Sequence, residues 1–229
     1  MSCAILGDRY NLIVGMIGKD IERNVELIKN LDNLPEKSFE VFINKLSSET
    51  FDDLSEENKK RIWNELTVLS VKHRKFTDAE WVLPSHMVDK IEDVSEKFAP
   101  KNPFLLYQYL FSERDFELYE SNDDFSQEQS KLDEKRMVAI EELLTYSGIE
   151  QVIEFIKVVS SPQAVGYALA SISNDEIDEY LLPSLLTTSD NKLKEFLSSY
   201  ILKSLREKSW DWVDNINRLN WSEEDLGQF

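Results

Sequence analysis

Apolar residues in this chain recur at intervals of three and four, and the strict alternation of a half-buried strand is nearly absent. The clearest stripe is Leu193, Phe196, Leu197, Tyr200, Ile201 and Leu205, which predicts a helix of well over three turns. Phe39, Phe42, Ile43 and Leu46 make a second, opened by Pro35, whose fixed φ suits a first helical position. Met87, Ile91, Val94 and Phe98 make a third, started by Pro84 and stopped by Pro100 and Pro103. Ile149, Val152, Ile153 and Ile156 make a fourth, behind Gly148, a residue suited to end the preceding helix. Ser126 with Gln129 has capping-box spacing, and Ser55 and Ser222 each precede acids that favour a helix N-terminus.

The pattern predicts an all-α chain of about ten helices joined by connections of roughly two to eight residues. Short connections make neighbouring helices antiparallel, which gives either a compact helical bundle or a stack of helical hairpins. Comparable short units after Gly148, with irregular helix lengths, favour the stack, an α-solenoid of HEAT-like or armadillo-like type. The expected organisation is a helical part over 1–111, an acidic connecting loop over 112–125, and a helical-repeat part over 126–229. The loop carries six acids against one base. WSEEDLGQF begins a helix with little chain left to complete it, so two readings stay open: a frayed terminus, or an array cut short.

Charge narrows the partners. With 44 acidic and 26 basic residues the formal net charge is −18, which disfavours nucleic acid and anionic membranes and favours basic proteins or peptides. The opening MSCAILGDRYNLIVG lacks the basic start of a secretory signal, and the longest uncharged stretch, 158–174, is interrupted by serines and Pro162. One cysteine, Cys3, allows no internal disulfide. The expected setting is the cytoplasm.

Candidate chemistry is sparse. KHRKFTDAEWVLP, 72–84, sets Lys72, Arg74 and Lys75 around His73 and places Trp81 before a proline. It reads as a helix junction, its cations facing the negative end of a helix dipole, or as a basic patch for an acidic peptide or phosphate. His73 and His86 stand thirteen apart with no HExxH or Cys/His group, so no metal or other cofactor is expected. No GxSxG, Walker A or GxGxxG sequence occurs. The uncharged run PFLLYQYLF reads as a buried helix, and the small residues of SSPQAVGYALASIS allow a neighbouring helix to approach closely. Trp210, Trp212 and Trp221 are candidate apolar anchors for a partner, with Asp123 and Asp124 as acidic attraction.

At KHRKFTDAEWVLP and around SSPQAVGYALA the chain resembles the helical-repeat regions of large, multidomain, uncharacterised bacterial proteins. The resemblance implies a scaffold or sensor region and carries over no catalytic residue. The expected function is a non-catalytic interaction module that recognises another protein or another region of its parent chain. Two alternatives stand beside it: an enzyme using carboxylates in an inter-helical cleft, and an acidic mimic of nucleic acid.

Overall fold

The computed structural model describes residues 20–120, 124–219 and 221–229, and these are all-helical, with no strand among them. Ten α-helices are present among the described residues. They fall into two compact units. One holds the described residues up to Leu106 together with Tyr119, Glu120 and Asp124; the other holds Tyr107–Leu118 and the described residues from Phe125 onward. Among the described residues, no helix is long and apolar enough to cross a membrane.

The first unit is built from α1 (Ile21–Lys29), α2 (Glu36–Ser47), α3 (Glu56–Lys75) and α4 (Ser85–Phe98). Polar caps fix two of the starts: Asp20 accepts from the Arg23 N–H and Ser55 from the Asn58 N–H. α1 and α4 both pack on α3, and α2 packs on α4. Each sends its apolar stripe inward, so Ile28, Phe39, Phe42, Phe51, Ile62, Leu66, Ile91 and Phe98 share one core. Phe51 and Phe98 meet edge to face at 6.0 Å.

PFLLYQYLF does not form the single buried helix its composition suggests. It splits into a five-residue helix, α5 (Pro103–Tyr107), and a 3-10 turn over Gln108–Phe111, and of the run only Leu110 and Phe111 are buried. Leu110 and Phe111 go into the second unit, where the Phe111 carbonyl accepts from Ser161 N–H and the ring meets Phe155 at 5.5 Å. The buried Arg136 holds the same turn, donating from Nε to the Leu110 carbonyl at 2.8 Å and from its terminal nitrogens to Asp115.

The second unit continues with α6 (Phe125–Val158), α7 (Pro162–Ile172), α8 (Asp175–Leu185), α9 (Asn191–Asn215) and α10 (Glu223–Gln228). α7 packs on both α6 and α9. Gly148 breaks α6 with φ +80°, a conformation glycine adopts without a Cβ penalty. Gly166 lets α7 lie directly against α9: a Cβ there would sit 2.4 Å from the Phe196 carbonyl oxygen. The close approach that the small residues of this segment allow is to the helix carrying the 193–205 stripe.

Candidate functional site

Lys72, His73, Arg74 and Lys75 occupy the last turn of α3, but they do not form a free basic patch. The Lys72 ammonium lies 2.9 Å from Asp32 and 4.8 Å from the centre of the Trp81 ring. Arg74 reaches across to α4, where it meets Asp89 at 2.5 Å, Glu92 at 2.6 Å and the Ser85 hydroxyl at 3.0 Å. These carboxylates hold the Arg74 pKa well above its ordinary value. Lys75 stands over the rings of Phe76 and Tyr119. The cations are used within the unit, so little charge remains to recruit an acidic ligand.

His73 is a core residue, 1% exposed. Its Nδ1 accepts from the Leu83 N–H at 3.1 Å, which ties the connecting loop back onto α3. Nε2 is then the protonated nitrogen and faces Asp32 at 3.6 Å. Burial lowers the imidazole pKa, with Lys72 acting in the same direction and Asp32 opposing. Trp81 caps this arrangement, its ring edge-on to His73 at 5.5 Å, yet stays about half exposed at 47%. The stretch is a junction that pins α3 to α4.

The tryptophans part company. Trp210 is 73% exposed, whereas Trp212 and Trp221 are buried at 6% and 9%. A ring already covered by its own unit offers no surface to a partner, so the three-anchor expectation reduces to Trp210. Asp124 is exposed. Asp123 and Cys3 lie outside the described residues.

Trp212 instead leads to the site that the sequence pattern missed. Its indole Nε1–H donates to Asp178 Oδ2 at 2.8 Å, and the Tyr200 hydroxyl donates to Asp178 Oδ1. Burial, then the Asp178 charge and this hydrogen bond, hold the Tyr200 pKa far above its ordinary value, so the hydroxyl stays a donor. Lys208 completes the cluster: its ammonium is 3.7 Å from Asp178 and donates to the Ser173 hydroxyl at 2.8 Å and carbonyl at 3.2 Å. A carboxylate only 3% exposed is thus satisfied by two donors and a cation.

Beside this cluster an open groove of about 270 Å³ runs between α8 and the end of α9. Asp175, Asp178 and Glu179 line it from α8; Lys208, Asp211, Trp212 and Asn215 line it from α9, followed by Ile216 and Asn217. Four carboxylates face one ammonium. Asp175 and Asp178 also sit in the first turn of α8, behind an Asn174 cap, where each gains roughly 0.3–1 kcal/mol from the helix dipole.

Between Lys208 and Trp210 the backbone is strained. Ser209 has φ +61° and ψ −167°, and it is the one non-glycine residue with positive φ among the described residues. That region is nearly reserved for glycine and costs of order 1–3 kcal/mol. It bends α9 and turns Trp212 onto Asp178. A charge-assisted hydrogen bond of roughly 1.5–3 kcal/mol is of the size needed to hold the bend.

Nothing in SLREKSWDW marks this bend, since no glycine or proline is present. A signal for the cluster did exist in the pairing of an interior Tyr200 with an acid-rich α8 start, but only the fold brings residues 178, 200 and 212 together. In comparison with known proteins the chain matches no family model, no curated protein and no solved structure.

Proposed function

We propose that the chain is a non-catalytic protein-interaction module, a scaffold segment of stacked helical hairpins in the manner of an α-solenoid. Its groove between α8 and the end of α9 takes cationic side chains from a basic segment, supplied by a partner protein or by another region of the parent chain. The observation that carries this reading is the groove's lining of four carboxylates against one lysine, in a chain of net charge −18. Such a field draws basic partners and rejects acidic ones. Exposed Trp210 supplies an apolar anchor of the kind that dominates binding energy at protein interfaces. The interaction reading is preferred to the enzymatic one because both oxygens of Asp178, the most enclosed carboxylate of the groove, are already held by Tyr200 and Trp212.

The test is a fluorescence titration with an arginine-rich peptide, comparing the natural chain with the triple variant Asp175→Asn, Glu179→Gln, Asp211→Asn. Exposed charges contribute roughly 0.2–1 kcal/mol each, so the triple variant should bind about tenfold more weakly. Raising the salt should weaken the natural chain towards the same level. Trp210→Ala should weaken binding with helicity unchanged. Equal affinity of the triple variant and the natural chain would remove the groove as the binding site.

A further inference from the structure

The bend in α9 places a strained residue, a polar latch and an unfilled groove within a few residues of one another. Ser209 is in a conformation that a helical φ/ψ would relieve. Three residues later, Trp212 donates to Asp178 and so secures the following segment to α8. Asp211, Trp212, Asn215, Ile216 and Asn217 form one wall of the groove and α8 the other, so the contact between the two is incompletely filled.

The segment beyond the bend is bonded to itself. Phe229 meets Trp221 at 5.1 Å and Trp212 at 6.2 Å, both edge to face, and the Arg218 guanidinium lies 5.5 Å from the Phe229 ring centre. Arg218 also donates to the Val213 carbonyl. Ser222 and Asp225 exchange hydrogen bonds in a capping box that starts α10. A piece with its own ring cluster and its own cap can move without coming apart. The body of α9 is held separately, with Phe196 and Tyr200 buried and Gly166 admitting α7 against it.

We propose that α9 is a two-state element hinged at Ser209, in which the described residues 210–219 and 221–229 swing as one body off α8, breaking the Trp212–Asp178 hydrogen bond and opening the groove, while the body of α9 stays packed on α7. Strain at Ser209 drives the opening and the Trp212–Asp178 bond opposes it. Lys208, immediately before the hinge, stays with Ser173 and remains near Asp178, so the carboxylate keeps a cation when the indole leaves. The hinge acts irrespective of what the groove takes.

Hydrogen exchange measured by NMR on the full chain tests this, by following the Trp212 indole N–H, whose bond to Asp178 opening breaks, and amides around Tyr200 in the body of α9. The hinge requires the indole N–H to exchange at least about tenfold faster, relative to its unfolded rate, than the amides around Tyr200. Ser209→Gly relaxes the bent state and weakens the straight helix, so it should slow the exchange of the indole N–H about tenfold with the body of α9 unchanged. Indole and body exchanging with equal protection, or Ser209→Gly altering both alike, would overturn the hinge.

Discussion

At His73 one proton decides whether a loop stays attached. A neutral imidazole accepts from Leu83 N–H, whereas a protonated one would turn a donor against that donor. The folded-state pKa lies below the ordinary 6.5 because burial disfavours the cation, so between the two values the unfolded chain binds more protons. Stability is therefore unaffected by this group above pH 6.5 and falls as the pH drops below it, by up to about 1.4 kcal/mol per pH unit until the folded pKa is reached. Urea unfolding at about pH 7.5 and about pH 5.5, either side of the ordinary histidine value, should show the loss. His73→Gln, which retains an acceptor but does not titrate, should show a shallower one. Identical pH slopes in the two proteins would exclude His73 as the cause. The residue also illustrates what a sequence conceals. Cations in the last turn of α3 are legible from the dipole rule, but their partners Asp32, Asp89 and Glu92 come from other elements, so a patch that looks available is already neutralised.

At the scale of elements, helix faces were legible and helix bends only partly so. Leu193, Phe196, Leu197 and Tyr200 are all buried, as their spacing predicts, because a 3.6-residue period leaves an apolar stripe one place to go. Gly148 announces its break in α6, whereas Ser209 in α9 does not: tertiary contacts at Asp178 impose a bend that local propensity opposes. The packing of α7 on α9 gives a test of opposite signs. Alanine at position 166 would press on the Phe196 carbonyl at 2.4 Å, the Ser199 hydroxyl at 2.5 Å and Tyr200 N at 3.1 Å, and the two backbone atoms cannot rotate away. Overpacking of this kind costs about 1–3 kcal/mol, more than the roughly 0.5–1 kcal/mol that Gly→Ala returns inside a helix. At Gly227 in α10 a Cβ meets nothing within 4 Å. Gly166→Ala should thus lower the urea midpoint and Gly227→Ala should leave it unchanged or raise it slightly; a neutral Gly166→Ala would mean that α9 yields to α7.

At the scale of the whole molecule the excess of acids acts on folding and on binding with opposite salt dependence. A net charge of −18 spread over helical surfaces repels itself, and unfolding lets those charges separate, so the compact state carries an electrostatic cost. The screening length shortens from about 30 Å at 0.01 M salt to about 8 Å at 0.15 M, which removes most of the repulsion between distant carboxylates. Ion pairs at contact, such as Arg74 with Glu92 at 2.6 Å, are weakened less because their charges lie well inside either screening length. The urea midpoint should accordingly rise as sodium chloride is raised from about 0.01 M to about 0.15 M, with the slope of the transition unchanged. Attraction of a basic peptide by the same carboxylates must weaken over the same interval. A midpoint that falls with salt would show that paired charges outweigh the unpaired excess, and the acidic surface would then be a network that stabilises the fold instead of a field available to a partner.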